Sequence, residues 1–405
     1  MKEPDDKAPR QRDGRVTIRL QYAFADAEQR GAELDNSVFL LLAAVRDAGS
    51  IAHAAAQLGL SYRHVWGQLR DWDAKFGTPL VDRLQGHRAR LTDFGERLLW
   101  AERRARTRMQ PHIDALRASL ACIVAEASDT RTRLLSLHAS HDLALPRLRE
   151  HAAQQAALHM DIRFMGSIDS LDSLNAERCL VAGFHVPALR GSAPVFAKAI
   201  KPLLKPGRHK LIGCSRRTQG LMLRKEHAPR IRALTDLAGS PLRFVNRQPG
   251  SGTRLLMDHL MQAYGLRAKD IAGYDRVEET HVAVAACIAS GAADVGLGVE
   301  AAALEFGLHF VPIVTEDYFL ACLQQNLEHP AIVRLREVLA SPEWSALLHE
   351  LPGYAPAAAP GAVLMMTAVL PWWRFSGPKR RRRQSAVTRV ASDRATRKST
   401  TSSNI

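Results

Sequence analysis

The twelve residues from Ser50 to Ser61 constrain the fold more than any other part of the chain. Ser50 opens the stretch Ile51 to Leu58 (IAHAAAQL), Gly59 closes it, and Ser61 opens a second stretch, Tyr62 to about Phe76 (YRHVWGQLRDWDAKF). A serine before each apolar-periodic run is an N-cap, because its hydroxyl accepts from backbone N–H groups that the first helical turn leaves unpaired. Glycine supplies the left-handed conformation that ends a helix and turns the chain tightly. Ala52, Ala55, Ala56 and Leu58 are spaced for close packing, while Val65, Leu69 and Trp72 make the buried face of the second helix. Two short helices around a glycine turn form a helix-turn-helix.

The flanks extend this unit. Ser37 to Asp47 (SVFLLLAAVRD) reads as a buried helix stopped near Gly49. Pro79 to Leu91 reads as two short strands around Gln85 to Arg88, a basic hairpin carrying Arg83, His87, Arg88 and Arg90. Thr92 caps a long helix towards Ala127, with Phe94, Leu98, Met109, Ile113, Leu116, Leu120 and Ile123 apolar and Pro111 placed to kink or divide it. A long helix with an apolar stripe and no sheet beneath it is expected to pair with a copy of itself, making a homodimer. Upstream, residues 1–15 are predicted to be disordered, and Val16 to Tyr22 alternates as a short strand does.

The run from GSIAHAAAQLGLSYRHVWGQL to PLVDR…G…ARLTDFGERLL resembles the winged helix-turn-helix of molybdate-responsive repressors of the ModE type, cousins of the LysR-type regulators, over about residues 16–127. The resemblance implies a DNA-binding domain over 16–91 and a linker and dimerisation helix over 92–130. A recognition helix enters the major groove of double-stranded DNA by its N-terminal turns, so Tyr62, Arg63, His64 and Gln68 are expected at base edges or phosphates. Ser50 and Ser61 at helix N-termini are expected at phosphates, and the wing residues Arg83, Arg88 and Arg90 at phosphates or in the minor groove. Trp66 and Trp72 read as core.

Net charge supports this only weakly. Of the +15, the ten basic residues and one acid from Arg374 to Ile405 contribute +9, and the other 373 residues carry +6. The tail over 374–405 is predicted to be a disordered basic extension able to touch phosphates. Five dispersed cysteines without a CxxC pair argue against a disulfide framework or zinc ribbon. No secretory leader is read at the N-terminus, and the longest apolar run, Gly361 to Trp373, has 13 residues, too few to span a bilayer. A soluble cytoplasmic protein without membrane partners is expected.

From Leu134 the pattern changes to apolar strand-like runs ending in polar clusters: Leu134 to Leu137, Cys179 to His185, Leu211 to Cys214, Leu242 to Val245, Ala293 to Gly298 and Phe310 to Val314. Strands alternating with helices predict a parallel α/β sheet, with ligands outside the carboxyl ends of the strands. The most informative cluster, Asn246-Arg-Gln-Pro-Gly-Ser-Gly-Thr-Arg254, opens a helix and points backbone N–H groups at one spot. That is an anion site, to which Arg247 and Arg254 add charge.

Residues 131–373, notably FVNRQPGSGTRLLMDHL and EETHVAVAACIASGAADVGLGVEAAA, resemble the two-lobed periplasmic-binding-protein-like domain of the molybdate-binding type. The resemblance implies a cleft lined by Ser140, His141, Gly166, Ser167, His185, Arg247, Ser251, Thr253, Arg254, Glu279, His281 and Tyr318. Hydroxyl and N–H donors suit a tetrahedral oxyanion such as molybdate or tungstate. Glu279 would repel one, so either it pairs with Arg247 or Arg254, or the ligand is a larger anion. No cofactor, metal site or catalytic motif is read: His138 and His141 have no second short-spaced partner, and GxSxG and HExxH do not occur. The fold expected is an α+β winged helix-turn-helix with a long dimerisation helix, followed by a two-lobed α/β sensor. The function expected is an anion-responsive transcriptional regulator. The competing readings are a cytoplasmic oxyanion storage protein and a molybdopterin-related accessory protein.

Overall fold

The computed structural model describes residues 24–25, 33–34, 37–84, 88–128, 132–188, 191 and 193–374. The strand expected at Val16 to Tyr22, the wing tip at Gln85 to His87 with the side chain of Arg83, and the basic tail beyond Arg374 lie outside the described residues. Two short strands, β1 (Phe24–Ala25) and β2 (Glu33–Leu34), pair antiparallel before the first helix.

Three helices make the head: α1 (Ser37–Ala48), α2 (Ile51–Gln57) and α3 (Tyr62–Phe76). Their shared core holds Val38, Leu42, Ile51, Ala54, Val65, Leu69 and Trp72. Both serine caps form as the spacing predicts, Ser50 accepting from His53 N and Ser61 from His64 N, each at 3.2 Å. Gly59 turns the chain between α2 and α3 at φ +67°. The wing is the antiparallel pair β3 (Val81–Arg83) and β4 (Ala89–Leu91), tied to the turn before α2 by Ala89 N donating to Gly49 O at 2.9 Å. Thr92 caps the next helix through Gly95 N at 3.0 Å.

That helix, α4 (Asp93–Ser128), runs 36 residues through Pro111 without a break. The expected division at proline does not occur. Nor does α4 lack a sheet to rest on: Ala118, Cys122 and Ala125 are buried, and the helix packs on strand β6 and helix α9 of the second domain.

In the second domain the elements run β5 (Arg133–Ala139), α5 (Ala144–Ala156), β6 (Leu158–Phe164), α6 (Ser167–Asn175), β7 (Val181–Pro187), α7 (Pro194–Ile200) and β8 (His209–Leu223). They continue as β9 (Phe244–Arg247), α8 (Gly252–Tyr264), β10 (Val277–Glu278), α9 (His281–Ala289), β11 (Val295–Val299), α10 (Glu300–Glu305), β12 (His309–Leu323), α11 (Pro330–Ala340), α12 (Pro342–His349), β13 (Tyr354–Pro356) and β14 (Val363–Leu364). Strand order is β10-β9-β11-β8-β12-β7-β5-β6, with β13 and β14 on the first half of β8.

The sheet is mixed, which corrects the expected parallel one. β5, β6 and β7 are parallel at one end, and β9, β10 and β11 at the other. The two 15-residue strands β8 and β12 run antiparallel to each other through the middle and join the ends into two lobes. Each was expected only as a short strand, Leu211 to Cys214 and Phe310 to Val314. One lobe packs α5, α11 and α12 over Leu137, Ile162, Leu335 and the fully buried Trp344. The other packs α9 and α10 over Val245, Val284, Ile288 and Val299. A third cluster, including Phe184, Phe196, Leu221, Phe244 and Leu256, spans both. Burial of each such side chain contributes about 1.5–3 kcal/mol.

Candidate anion site and nucleic-acid interface

The crossing strands place one set of polar side chains between the lobes. Along β8 burial alternates at Ser215, Arg217 and Gln219, and along β12 at Glu316 and Tyr318. Side chains two residues apart share a sheet face, so these five are buried on the same side as their register partners. Arg217, 2% exposed, donates to Asp142 Oδ2 at 2.7 Å and to Glu316 Oε2 at 3.0 Å. Gln219 Nε2 donates to Glu316 Oε2 at 2.7 Å and to Thr253 Oγ1 at 3.0 Å. Asp142 Oδ2 also accepts from Tyr354 OH (3.1 Å) and lies 3.2 Å from His185 Nε2.

Charge and tautomer follow. Burial opposes ionisation of Asp142, but the His185 hydrogen bond and the Arg217 charge outweigh it and hold its carboxyl well below the usual range. Burial, then Arg217, lowers His185, which is therefore neutral. With Asp142 ionised, the ring proton sits on Nε2, and Nδ1 accepts from Ser140 Oγ at 2.9 Å. Tyr318 stacks on the same imidazole at 4.1 Å between ring centroids. Its hydroxyl occupies the space a side chain at Gly183 would fill.

Arg247 is the unusual member. It is 3% exposed, and its guanidinium donates to Glu279 O at 2.7 Å and to Gln248 Oε1 at 3.0 Å. Neither acceptor is charged. Burial, then repulsion from Arg217, lowers it to about 9. Burial and Arg247 push His141 down to about 4 and His281 well below its ordinary value. Among the described residues, Nδ1 of both imidazoles and the buried hydroxyls of Ser167 and Tyr318 have no hydrogen-bond partner. Two acceptors, Gln219 Oε1 and Glu316 Oε1, are likewise unpartnered. A Cβ on Gly252, in the first turn of α8, would lie 3.5 Å from both Ser167 Oγ and His185 Cβ, so the N-terminal ends of α6 and α8 converge there. A buried cation beside unpaired hydroxyls, neutral imidazoles and two helix N-termini is a place where an anion is stabilised.

Of the residues expected to line the cleft, the structure brings Ser140, His141, Ser167, His185, Arg247, Thr253, His281 and Tyr318 together between the lobes. Ser251 is buried beside them, but its hydroxyl caps α8 through Arg254 N (3.1 Å) and donates to Gln248 O (2.8 Å). Two expectations are corrected. Arg254 turns away to Asp258 (3.1 Å) and lies over the Tyr274 ring, as its place in the first turn of α8 favours an i,i+4 pair. Glu279 is exposed and pairs with neither arginine; only its main-chain carbonyl reaches Arg247. Asp142, Arg217, Gln219, Glu316 and Tyr354 were missed. A signal for Asp142 is in the sequence, where it closes His-Ala-Ser-His-Asp; Arg217 and Gln219 lie in the unbroken polar run Ser215-Arg-Arg-Thr-Gln219, which hides the strand.

On the head, Tyr62 (51% exposed), Arg63 and His64 are exposed at the start of α3, and Gln68 is half-buried. Ser61 is exposed and Ser50 buried, each with its oxygen occupied as a cap. Arg88 and Arg90 are exposed on the wing, Arg90 3.4 Å from Asp82 in a surface pair of little energetic weight. Trp72 is core and Trp66 half-buried.

The chain joins a helix-turn-helix head with a wing, through a long helix, to a two-lobed α/β domain with a buried polar centre. Residues 38–96 match the model of the bacterial regulatory helix-turn-helix proteins of the lysR family, and residues 148–340 match the PBP superfamily domain. The chain thus carries a LysR-type helix-turn-helix and, after it, a PBP-like domain. It is 29% identical over 205 residues to the uncharacterized protein YvgK of Bacillus subtilis (strain 168), a match covering 51% of this chain and 65% of that protein's length. It is 30% identical over 101 residues to an uncharacterized protein in the ferredoxin 2Fe-2S gene 5' region of Clostridium pasteurianum, covering 25% of this chain and 89% of the relative. Among solved structures, the LysR family transcriptional regulator CbnR is similar at 17% identity and TM-score 0.37, over 75% of this chain and 99% of that one. No single described helix is long and apolar enough to cross a membrane.

Proposed function

We propose that the protein is a cytoplasmic, homodimeric transcriptional regulator, not an enzyme, that senses a small anion held between the lobes by Arg247. Molybdate and tungstate are the first ligands to test, their oxygens accepting from Arg247, Ser167, Thr253, Tyr318 and the N-terminus of α8. The observation that carries the reading is Arg247 itself, a buried guanidinium that touches no carboxylate among the described residues. Glu316 and Glu279 offset its charge only from a distance, and an anion in direct contact would stabilise the buried guanidinium further. One feature favours a second ligand class. The unpartnered acceptors Gln219 Oε1 and Glu316 Oε1 are complementary to a donor, so an organic anion bearing hydroxyl or amine groups is the alternative.

The head supplies operator contacts through Tyr62, Arg63, His64 and Gln68 in the major groove and Arg83, Arg88 and Arg90 at phosphates, with Ser50 and Ser61 at the helix ends nearest the backbone. A second copy is placed along α4. There Met109, Ile113, Leu116, Leu120 and Ile123 recur at alternating intervals of four and three, and Ile123 is 61% exposed. The decisive experiment is a gel shift with the protein's own upstream DNA, with and without molybdate. Retarded DNA whose affinity changes with molybdate supports the reading, and no retardation under either condition overturns it. An oxyanion storage protein would bind molybdate and leave the DNA unshifted.

A further inference from the structure

We infer that Arg108, on α4 and outside the buried cluster, is a positioning residue of the anion site, and that through it the site and the DNA-binding head share one mechanical element. The inference rests on reading the cluster as an anion site. The connection is short. Glu278, at the end of β10, is 4% exposed and gives both carboxylate oxygens to Arg108, Nε to Oε2 at 2.9 Å and Nη2 to Oε1 at 2.6 Å. A guanidinium fork on a carboxylate fixes direction as well as distance.

In the parallel register of β10 with β9, Glu278 stands opposite Arg247. The next residue, Glu279, gives its carbonyl to Arg247 Nη2 at 2.7 Å. Thr280 then caps α9 through Ala283 N at 2.9 Å, and His281 begins that helix inside the cluster. The far end of α9 is held by the same helix. Its C-cap, Ser290, accepts from Arg104 Nη1 at 3.3 Å, and Arg104 lies one helical turn before Arg108. Helix α4 therefore grips α9 at both ends, while its own first turn is part of the head.

An anion that draws Arg247 towards itself changes the pull on the Glu279 carbonyl. β10 passes that change to the Arg108 fork, and α4 carries it to the wing and α3. Coupling of this kind is reciprocal: the factor by which the anion changes operator affinity equals the factor by which operator changes anion affinity.

The test uses the full chain, its own upstream DNA and molybdate as probe. In Arg108→Met, amide exchange over 277–283 without ligand is expected to rise about tenfold, as local opening becomes easier. Molybdate binding weakens by about three- to tenfold, in the manner of a lost supporting contact, and the ratio of operator affinities with and without molybdate falls below about 2. Glu278→Gln, which leaves no unpaired carboxylate, reproduces these changes more mildly. The exchanged pair Arg108→Glu with Glu278→Arg restores the ratio. Unchanged exchange over 277–283 in Arg108→Met, or an unchanged operator ratio, overturns the inference. Failure of the wild-type protein to bind molybdate or tungstate counts against the ligand assignment instead, since the exchange measurement needs no ligand.

Discussion

Replacing Arg247 by methionine moves two observables in opposite directions. Methionine keeps most of the buried stem and removes the charge. Lowering of the guanidinium from 12.5 to about 9 corresponds to roughly 5 kcal/mol against the charged state in the ligand-free protein. Against this stand the two hydrogen bonds to Glu279 O and Gln248 Oε1, whose loss, with one carbonyl left unpaired, costs about 2–4 kcal/mol. The ligand-free variant is therefore expected to gain about 1–3 kcal/mol, seen as a rise of roughly 2–10 °C in the unfolding midpoint of the sensor domain. Anion binding goes the other way. Removing the partner of a buried charge costs about 3–5 kcal/mol, so molybdate or tungstate affinity falls by at least about a hundredfold. Calorimetric titration gives the second quantity and scanning calorimetry without ligand the first. A variant that is less stable than wild type without anion, or that binds the oxyanion within threefold of wild type, refutes the assignment of Arg247 as a buried cation awaiting its direct partner.

Acid should destabilise the sensor domain. His141, His185 and His281 are held neutral when folded, so below about pH 6.5 the unfolded chain binds protons that the folded one refuses. Stability is then lost as pH falls, for His141 progressively down to about 4. Each histidine contributes up to about 1.4 kcal/mol per pH unit in that window, and urea titrations at pH 7.5 and 5.5 should show the slope reduced by about that amount in His141→Gln. Leu116→Glu with Ile123→Glu, both on the exposed stripe of α4, should shift the protein to monomer in sedimentation without lowering its helix content. Arg63→Ala should weaken operator binding by about 1–3 kcal/mol and relax base preference, while Arg88→Ala should lower the salt slope by about 1 with sequence preference intact. Equal loss on all DNA sequences for Arg63→Ala would place it at phosphate.

What was legible in the sequence was local. Ser50, Gly59 and Ser61 act within four residues of themselves, so caps and turn could be read before any tertiary contact was known. Ser140, His141, Arg247 and Thr253 were legible because each lies where a strand ends or a helix begins, the positions from which α/β folds build sites, and His185 because it falls near the end of β7. Arg217, Gln219 and Glu316 obey a different rule. They sit inside long strands, where a polar run, Ser215 to Gln219 in β8 and Thr315 to Asp317 in β12, interrupts the apolar pattern and makes two 15-residue strands look like short ones. Their partners are far off: Arg217 bonds to Glu316 across 99 positions and to Asp142 across 75. Strand direction was misread for a related reason, since whether β8 and β12 run with or against their neighbours depends on connections that cross the whole domain.

Arg247 and Arg254 show how narrow the legible margin is. Both lie in the same glycine-rich turn and both were read as anion ligands. Arg247 ends a buried strand, where alternation directs it inward among groups already desolvated. Arg254 falls in the first turn of α8, where Asp258, one turn on, captures it at the surface. What separates them is the facing element: the Glu279 carbonyl beyond Arg247, in a segment that Arg108 of α4 contacts through Glu278. The buried Arg247 guanidinium is thus oriented by a segment whose Glu278 is held by Arg108 of α4.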